Sequence, residues 1–197
     1  DLRMSRGLGD VYKRQVQHCD ARILKAMRRS GSRQELEDLF RDLRERIPGI
    51  VIRSTAMVGF PTETDDEFRD LIDFMDTVGF DYTSVFAYSQ EEGSLAAKME
   101  GQVDEEVKLE RAQEAMDLAE SLGFAATAAH VGDRAQVIVD GIEETEDGAE
   151  LIGHAWFQAP DSDGAVHLDA SEASVGDILT VEFTDSFCYE LIGHVVE

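Results

Sequence analysis

Between Ile50 and Tyr88 the chain reads strand, helix, strand, and that order leaves few folds open. Ile50 to Val58 is β-branched and apolar, Gly59-Phe60-Pro61 ends it, and Thr64 to Glu67 is a capping box that starts a helix. Phe68, Leu71, Ile72, Met75 and Val78 recur at helical spacing, Gly79 closes the helix, and Phe80 to Tyr88 is the next strand. Two strands joined through a helix lie parallel, with the helix covering one face. Side chains alternate along a strand. Ile50, Ile52, Ser54, Ala56 and Val58 therefore share a small, mostly apolar face suited to packing under helices. Val51, Arg53, Thr55 and Met57 share the other, turned towards whatever the sheet encloses.

The preceding segment repeats the pattern. Val16 to His18 reads as the end of a strand, and Asp20 caps a helix with Ile23, Leu24 and Met27 on one side. Ser30-Gly31 breaks it. Ser32 to Glu35 is a second capping box, opening a helix striped with Leu36, Leu39, Phe40, Leu43 and Ile47, and Pro48-Gly49 stops it. The resulting β-α-β-α-β order predicts an α/β parallel sheet whose working loops lie at the C-terminal strand ends: "QHCD", "GFPTET" and "YSQEEG". Residues 1–15 show neither period. Their "GLGDVYKRQ" resembles translated adapter sequence, and the stretch reads as a non-native or disordered tail outside the fold.

From Asp104 to about Ala129 a long helix is expected to bury Val107, Ala112, Ala115, Met116, Ala119 and Leu122. Beyond Gly132 the pattern changes to short strands at 134–140, 151–157, 165–168, 178–184 and 191–196. The turn clusters "DGIEETEDG", "PDSDG" and "VGD" separate them. Five short strands in this space predict a small closed antiparallel β-barrel. The expected division is tail 1–15, sheet and linking helix 16–130, and barrel 131–197.

Charge narrows the partners. The chain carries 18 Lys+Arg against 42 Asp+Glu, and residues 131–197 hold one cation, Arg134, beside 16 acids. Such a surface repels phosphate backbones and attracts basic proteins. General solubility, or adaptation to salt, accounts for the same acidity. No apolar run is long enough to cross a membrane, and no apolar leader is visible, so the cytoplasm is the expected compartment. Two cysteines, Cys19 and Cys188, are too few for the three or four thiolates an iron–sulfur cluster takes.

In this order and spacing, "VQH…RILKAMRR", "IRSTAMVGFPTET", "FDYTSVFAYSQEEG" and "QAPDSDG" resemble the methylthiotransferase branch of the radical S-adenosylmethionine (SAM) enzymes. The likeness covers residues 16–197. It implies the C-terminal part of a partial TIM-like barrel followed by a TRAM domain, an OB-like barrel. "QH", "IRST" and "APDSDG" resemble the RimO type, which modifies an aspartate of small-subunit ribosomal protein twelve; the MiaB type, which modifies a transfer-RNA adenosine, is the alternative. A stand-alone acidic binding module is a third reading. The resemblance implies SAM and two 4Fe–4S clusters in a full-length enzyme. The cluster cysteines that the family carries upstream are absent from this sequence, so the chain alone is expected to be inactive and to contribute no catalytic residue or metal ligand. The cofactor carries the radical chemistry.

The resemblance places Gln17, His18, Arg53, Thr55, Tyr88 and Ser89 at the rim where SAM and substrate meet, and Trp156, Asp161 and Asp163 on a partner-binding face of the TRAM part. It implies ribosomal protein twelve as partner, with no direct nucleic-acid contact through TRAM and no membrane. Each residue has a plainer role beside the sharp one. Arg53 fits a carboxylate clamp or a structural ion pair equally well. His18 fits the site or a hydrogen-bonded interior histidine. Tyr88 fits an adenine pocket or core. Glu63 and Thr64 read as helix-cap residues, and Cys19 as a small apolar filler. One of Trp156 and Phe157 belongs to core and the other to a partner. The acidic residue after "QH" stands one place later than the family commonly has it, at Asp20, which leaves its capping role intact.

Overall fold

The computed structural model describes residues 11–145, 148–160, 162–169 and 173–196. The chain divides into two compact units, Asp1–Leu122 and Gly123–Glu197, and the division falls inside the long helix rather than after it.

In the first unit β1 (Val11–Gln17), β2 (Val51–Val58) and β3 (Tyr82–Ala87) form a parallel sheet in that order. The first strand starts earlier than the sequence suggests: residues 11–15 are paired strand, not tail, with Val11 opposite Val51. Helix α1 (Ala21–Ala26) is capped by Asp20, whose carboxylate accepts from the Arg22 and Ile23 amides. Helix α2 (Arg33–Arg46) begins at Ser32, whose hydroxyl accepts from the Glu35 amide. Helix α3 (Asp65–Val78) carries the reciprocal capping box of Thr64 and Glu67 and closes on Gly79 in the left-handed region.

These helices bury the apolar face of β2. Ile52, Ala56 and Val58 pack with Leu36, Phe40, Leu43, Phe68, Leu71, Phe74 and Met75, and Phe80 meets Phe40 and Phe74 edge-on. Arg33 ties α2 to α3 by pairing with Asp70 and Asp73. Helix α4 (Glu105–Ala128) corrects the expected stripe: Met116 is exposed, and Lys108 and Arg111 are buried beside Ala112, Ala115 and Ala119.

In the second unit β4 (Arg134–Thr145), β5 (Gly148–Ala155), β6 (Val166–Asp169), β7 (Ile178–Phe187) and β8 (Glu190–Val195) close a barrel in the order β4-β5-β6-β8-β7. "DGIEET", expected as turn, is mostly the extended end of β4. The barrel is also mixed: β6 and β8 run parallel. Directions cannot alternate around a closed ring of five strands, so one neighbouring pair must be parallel. Val137, Val139, Leu151, Phe157, Leu168, Val181, Phe183 and Leu191 fill the interior. Gly153 and Gly193 let strands cross closely: a Cβ on Gly153 would fall on the Ile138 carbonyl oxygen, and one on Gly193 on Val181. The end of α4 packs within this unit, with Phe124 edge-on to Tyr189.

Gly153→Ala should destabilise the barrel by about 1–3 kcal/mol, because the new methyl meets backbone that cannot rotate away. Fluorescence of Trp156, the chain's one tryptophan, would follow this in a thermal melt. A second expectation concerns acid. Burial raises the Glu67 carboxyl, but hydrogen bonds from Arg22 and Thr64 outweigh it and hold the group at about 2, against an ordinary 4.5. A depressed carboxylate contributes stability that is present above its unfolded value and lost as pH falls through the folded one. Urea melts between pH 5 and about 2 should show that loss, and Glu67→Gln should flatten this part of the profile.

Candidate ligand site at the strand ends

All three parallel strands end at one cavity of about 590 Å³. Gln17 enters from the end of β1, Met57 and Phe60 from β2 and its turn, and Phe86, Tyr88 and Ser89 from β3. Met27, Arg28 and Arg29 line it from the end of α1. The volume lies in the range of small-molecule sites.

Local chain geometry makes this floor. Gly59 sits at φ 71°, and a Cβ there would run into the Lys108 stem. Phe60 leaves that turn and meets Tyr88 edge-on, 5.4 Å between centroids, with Ile23, Met27, Met57, Ala96 and Met99 packed around the pair. The Tyr88 amide donates to the Val58 carbonyl, 2.8 Å. Its phenol oxygen is buried with no hydrogen-bond partner among the described residues. Gln17 holds φ 73°, a region that a non-glycine residue occupies at a cost and that clusters at ligand sites.

Beneath the rim lies a buried ionic cluster. Glu63 and Arg111 are 0% and 8% exposed at the side chain and meet at 2.8 Å. The same carboxylate oxygen of Glu63 accepts from the Gly59 amide, 2.9 Å, and Arg111 reaches on to Asp65. His18 Nε2 faces the other oxygen at 3.5 Å, with both side chains fully buried. Lys108 lies 5.4 Å from the Tyr88 ring centroid and pairs with Glu105.

Of the expected rim residues, Gln17, Tyr88 and Ser89 line the cavity together. His18 lies beneath it, against Glu63. Arg53 stacks on the Tyr82 ring at 4.0 Å, and Thr55 is buried; neither lines the cavity. In the barrel, Trp156 is half-exposed and edge-on to buried Phe157, but both stand in the turn after β5, which ends at Ala155 rather than at 157. The Asp163 carboxylate accepts from the Ala159 amide, 2.5 Å, and Asp161 lies outside the described residues. Sequence reasoning missed Arg28 and Arg29 as cavity cations and Glu63, Lys108 and Arg111 as its support. An i, i+3, i+4, i+7 spacing of 108, 111, 112 and 115 was the available signal for the last two.

The residues do not fit an iron–sulfur cluster. Among the described residues no three His, Cys, Asp or Glu side chains converge on a metal position. The Cys19 thiol is buried against Asp70, and burial pushes it far above its ordinary range; Cys188 is exposed in the other unit.

Family models match in two places: the radical SAM superfamily over residues 2–75 and the TRAM domain over residues 131–196. Curated proteins titled ribosomal protein uS12 methylthiotransferase RimO align along 92% of the chain. They include those of Trichlorobacter lovleyi (42% identical), Geobacter sulfurreducens (42%) and Pelobacter propionicus (43%). Over that span the chain is similar to part of the RimO-type proteins, with a radical SAM match in its first half and a TRAM match in its last third. It spans 40% of the length of these three relatives. Among solved structures, HemN of Escherichia coli, titled a radical SAM enzyme, overlays 75% of this chain and 39% of its own at TM-score 0.49 and 14% identity, too loose an overlay to bear on the site. No helix among the described residues is long and apolar enough to cross a membrane.

Arg111→Met should cost about 3–5 kcal/mol, because it strands the Glu63 carboxylate without its buried counter-charge. Replacing both, as Glu63→Gln with Arg111→Met, should recover part of that loss. A double-mutant cycle in urea gives the coupling.

Proposed function

We propose that this chain forms the SAM- and substrate-facing part of an enzyme that methylthiolates an aspartate of ribosomal protein uS12, and that its acidic barrel docks that basic protein. The observation that carries the reading is the cavity at the ends of all three strands, in a chain so close in sequence to RimO relatives. The aromatic and thioether walls of Phe60, Tyr88, Met27 and Met57 suit an adenosyl group, and the Tyr88 hydroxyl has a hydrogen bond to give. Arg28 and Arg29 suit the carboxylate of the amino-acid end, the role first expected of Arg53. When bound, SAM supplies radical and methyl-transfer chemistry. This chain's residues bind and orient, and Phe60, Tyr88 and Met57 exclude water from one side of the cavity.

The barrel's part rests on charge and anchors. Its one cation, Arg134, is paired with Glu182 at 2.7 Å, so the acids around it meet an approaching partner unopposed. Trp156 offers an apolar anchor, with Asp163 near it in sequence and Asp161 as a further acid for a basic partner. Purified uS12 should bind the chain with an affinity that falls steeply as salt rises, and an anticodon stem-loop RNA should not compete. The decisive test is a chimera. Residues 16–197 replace the matching segment of the Geobacter sulfurreducens relative, and mass spectrometry reads methylthiolation of uS12. An inactive chimera that folds and binds its clusters would sink the proposal.

The cavity makes a separate expectation. Tyr88→Phe removes a buried hydroxyl that has no partner, so the unliganded chain should be as stable or more so, while S-adenosylhomocysteine should bind about three- to tenfold more weakly. Thermal melts with and without that ligand separate the two effects.

A further inference from the structure

His18 is closed off from the cavity, yet it follows Gln17, which lines it. The Asp20 amide donates to His18 Nδ1 at 3.0 Å, so a neutral ring carries its proton on Nε2. That nitrogen stands 3.5 Å from Glu63 Oε2, an electrostatic contact too long to count as a hydrogen bond, and neither atom has a hydrogen-bond partner among the described residues. Glu63 is held from its other oxygen by Gly59 and Arg111. One buried carboxylate thus faces the ends of two strands, β1 through His18 and β2 through Gly59. Both ends carry a left-handed residue, Gln17 at φ 73° and Gly59 at φ 71°. A left-handed glutamine persists only where its surroundings over-determine it.

We infer that His18 is a positioning residue: its buried ring, packed 3.5 Å from the Arg111-held Glu63 carboxylate, fixes the end of β1 so that Gln17 points into the cavity. This rests on the reading of the cavity as an adenosyl site, but its first consequence concerns the unliganded chain alone. The two amide variants divide the histidine's work. His18→Gln keeps a donor near Nε2. His18→Asn keeps an acceptor near Nδ1 and removes the polar edge that faces Glu63 Oε2.

The test is NMR of the whole chain with titration of S-adenosylhomocysteine. The His18 ring should show the Nε2-protonated tautomer in long-range ¹H–¹⁵N spectra. His18→Asn should shift the Gln17 Cα and Cβ signals and the Gly59 amide, and weaken the ligand about tenfold, the upper cost of ordering a freed side chain on binding. His18→Gln should leave both within about threefold of the parent. An Nδ1-protonated ring, unmoved Gln17 signals in His18→Asn, or equal damage from both amides would overturn the inference. Should His18→Asn fail to fold, Glu63→Gln takes its place and is judged on the same signals. If the parent chain does not bind S-adenosylhomocysteine, the adenosyl reading of the cavity falls, and the Gln17 and Gly59 signals still decide the role of His18.

Discussion

A single carboxylate, Glu63, sits where the parallel sheet turns into its functional rim. It has left water entirely, a step that costs several kcal/mol for an ion unless partners replace the lost solvation. Arg111 replaces the charge, Gly59 donates an amide, and His18 brings a polar edge to the remaining oxygen. The partners come from α4, from the turn after β2 and from the end of β1. Three separate stretches of chain therefore cannot move apart without exposing an unpaired ion in a low-dielectric interior. The cavity floor inherits that rigidity, because Gly59 and Phe60 stand in the same turn.

The allocation of cations follows from this. The chain has 18 Lys and Arg for 42 acids, and the first unit uses several of the few it has as internal ties. Arg33 joins α2 to α3, Arg22 reaches Glu67 and Thr62, and Lys108 and Arg111 lie under the rim. Exposed pairs of this sort add little stability, whereas the buried Arg111–Glu63 pair is costly to break. Little positive charge is left to balance the barrel. Its field is negative from composition alone, and it acts at long range on any basic protein that approaches.

The strand–helix alternation, the two faces of β2 and the apolar stripes of α2 and α3 were legible because each repeats a period that packing enforces. What was missed has a common cause. Reading burial from apolar character cannot see Lys108 and Arg111, whose burial is set by Glu63 and not by their own hydropathy. Thr64 and Glu67 announce a capping box, and that strong local signal hid Glu63 one residue earlier. Residues 11–15 lack alternation because edge strand β1 gains its pairing from β2, a contact remote in sequence. The parallel β6–β8 pair was recoverable without any residue, since five strands in a closed ring force it. Gln17, Tyr88 and Ser89 line one cavity because a parallel sheet brings its C-terminal strand ends together. Arg53 does not line that cavity, because alternation fixes a side chain's face but not its height along the strand.

The distribution of unsatisfied groups argues in the same direction. Among the described residues, the buried side-chain polar atoms without partners belong to His18, Glu63, Thr83, Tyr88 and Gln102, all in the first unit. Three of these five residues, His18, Glu63 and Tyr88, stand at the strand ends or the turn beneath the cavity. The barrel interior, by contrast, buries mainly aliphatic and aromatic side chains, and its buried Gln158 is bonded to the Ala155 amide and the Gly164 carbonyl. A buried polar atom left without any partner costs stability, so such atoms are uncommon in a folded interior and their clustering marks this part of the first unit. The Tyr88 hydroxyl, on a residue that lines the cavity, is buried without a protein partner. The contact of His18 with Glu63 differs in kind, since both side chains are fully buried and neither lines the cavity. It constrains the rim in every state, and so acts on the shape that any occupant meets.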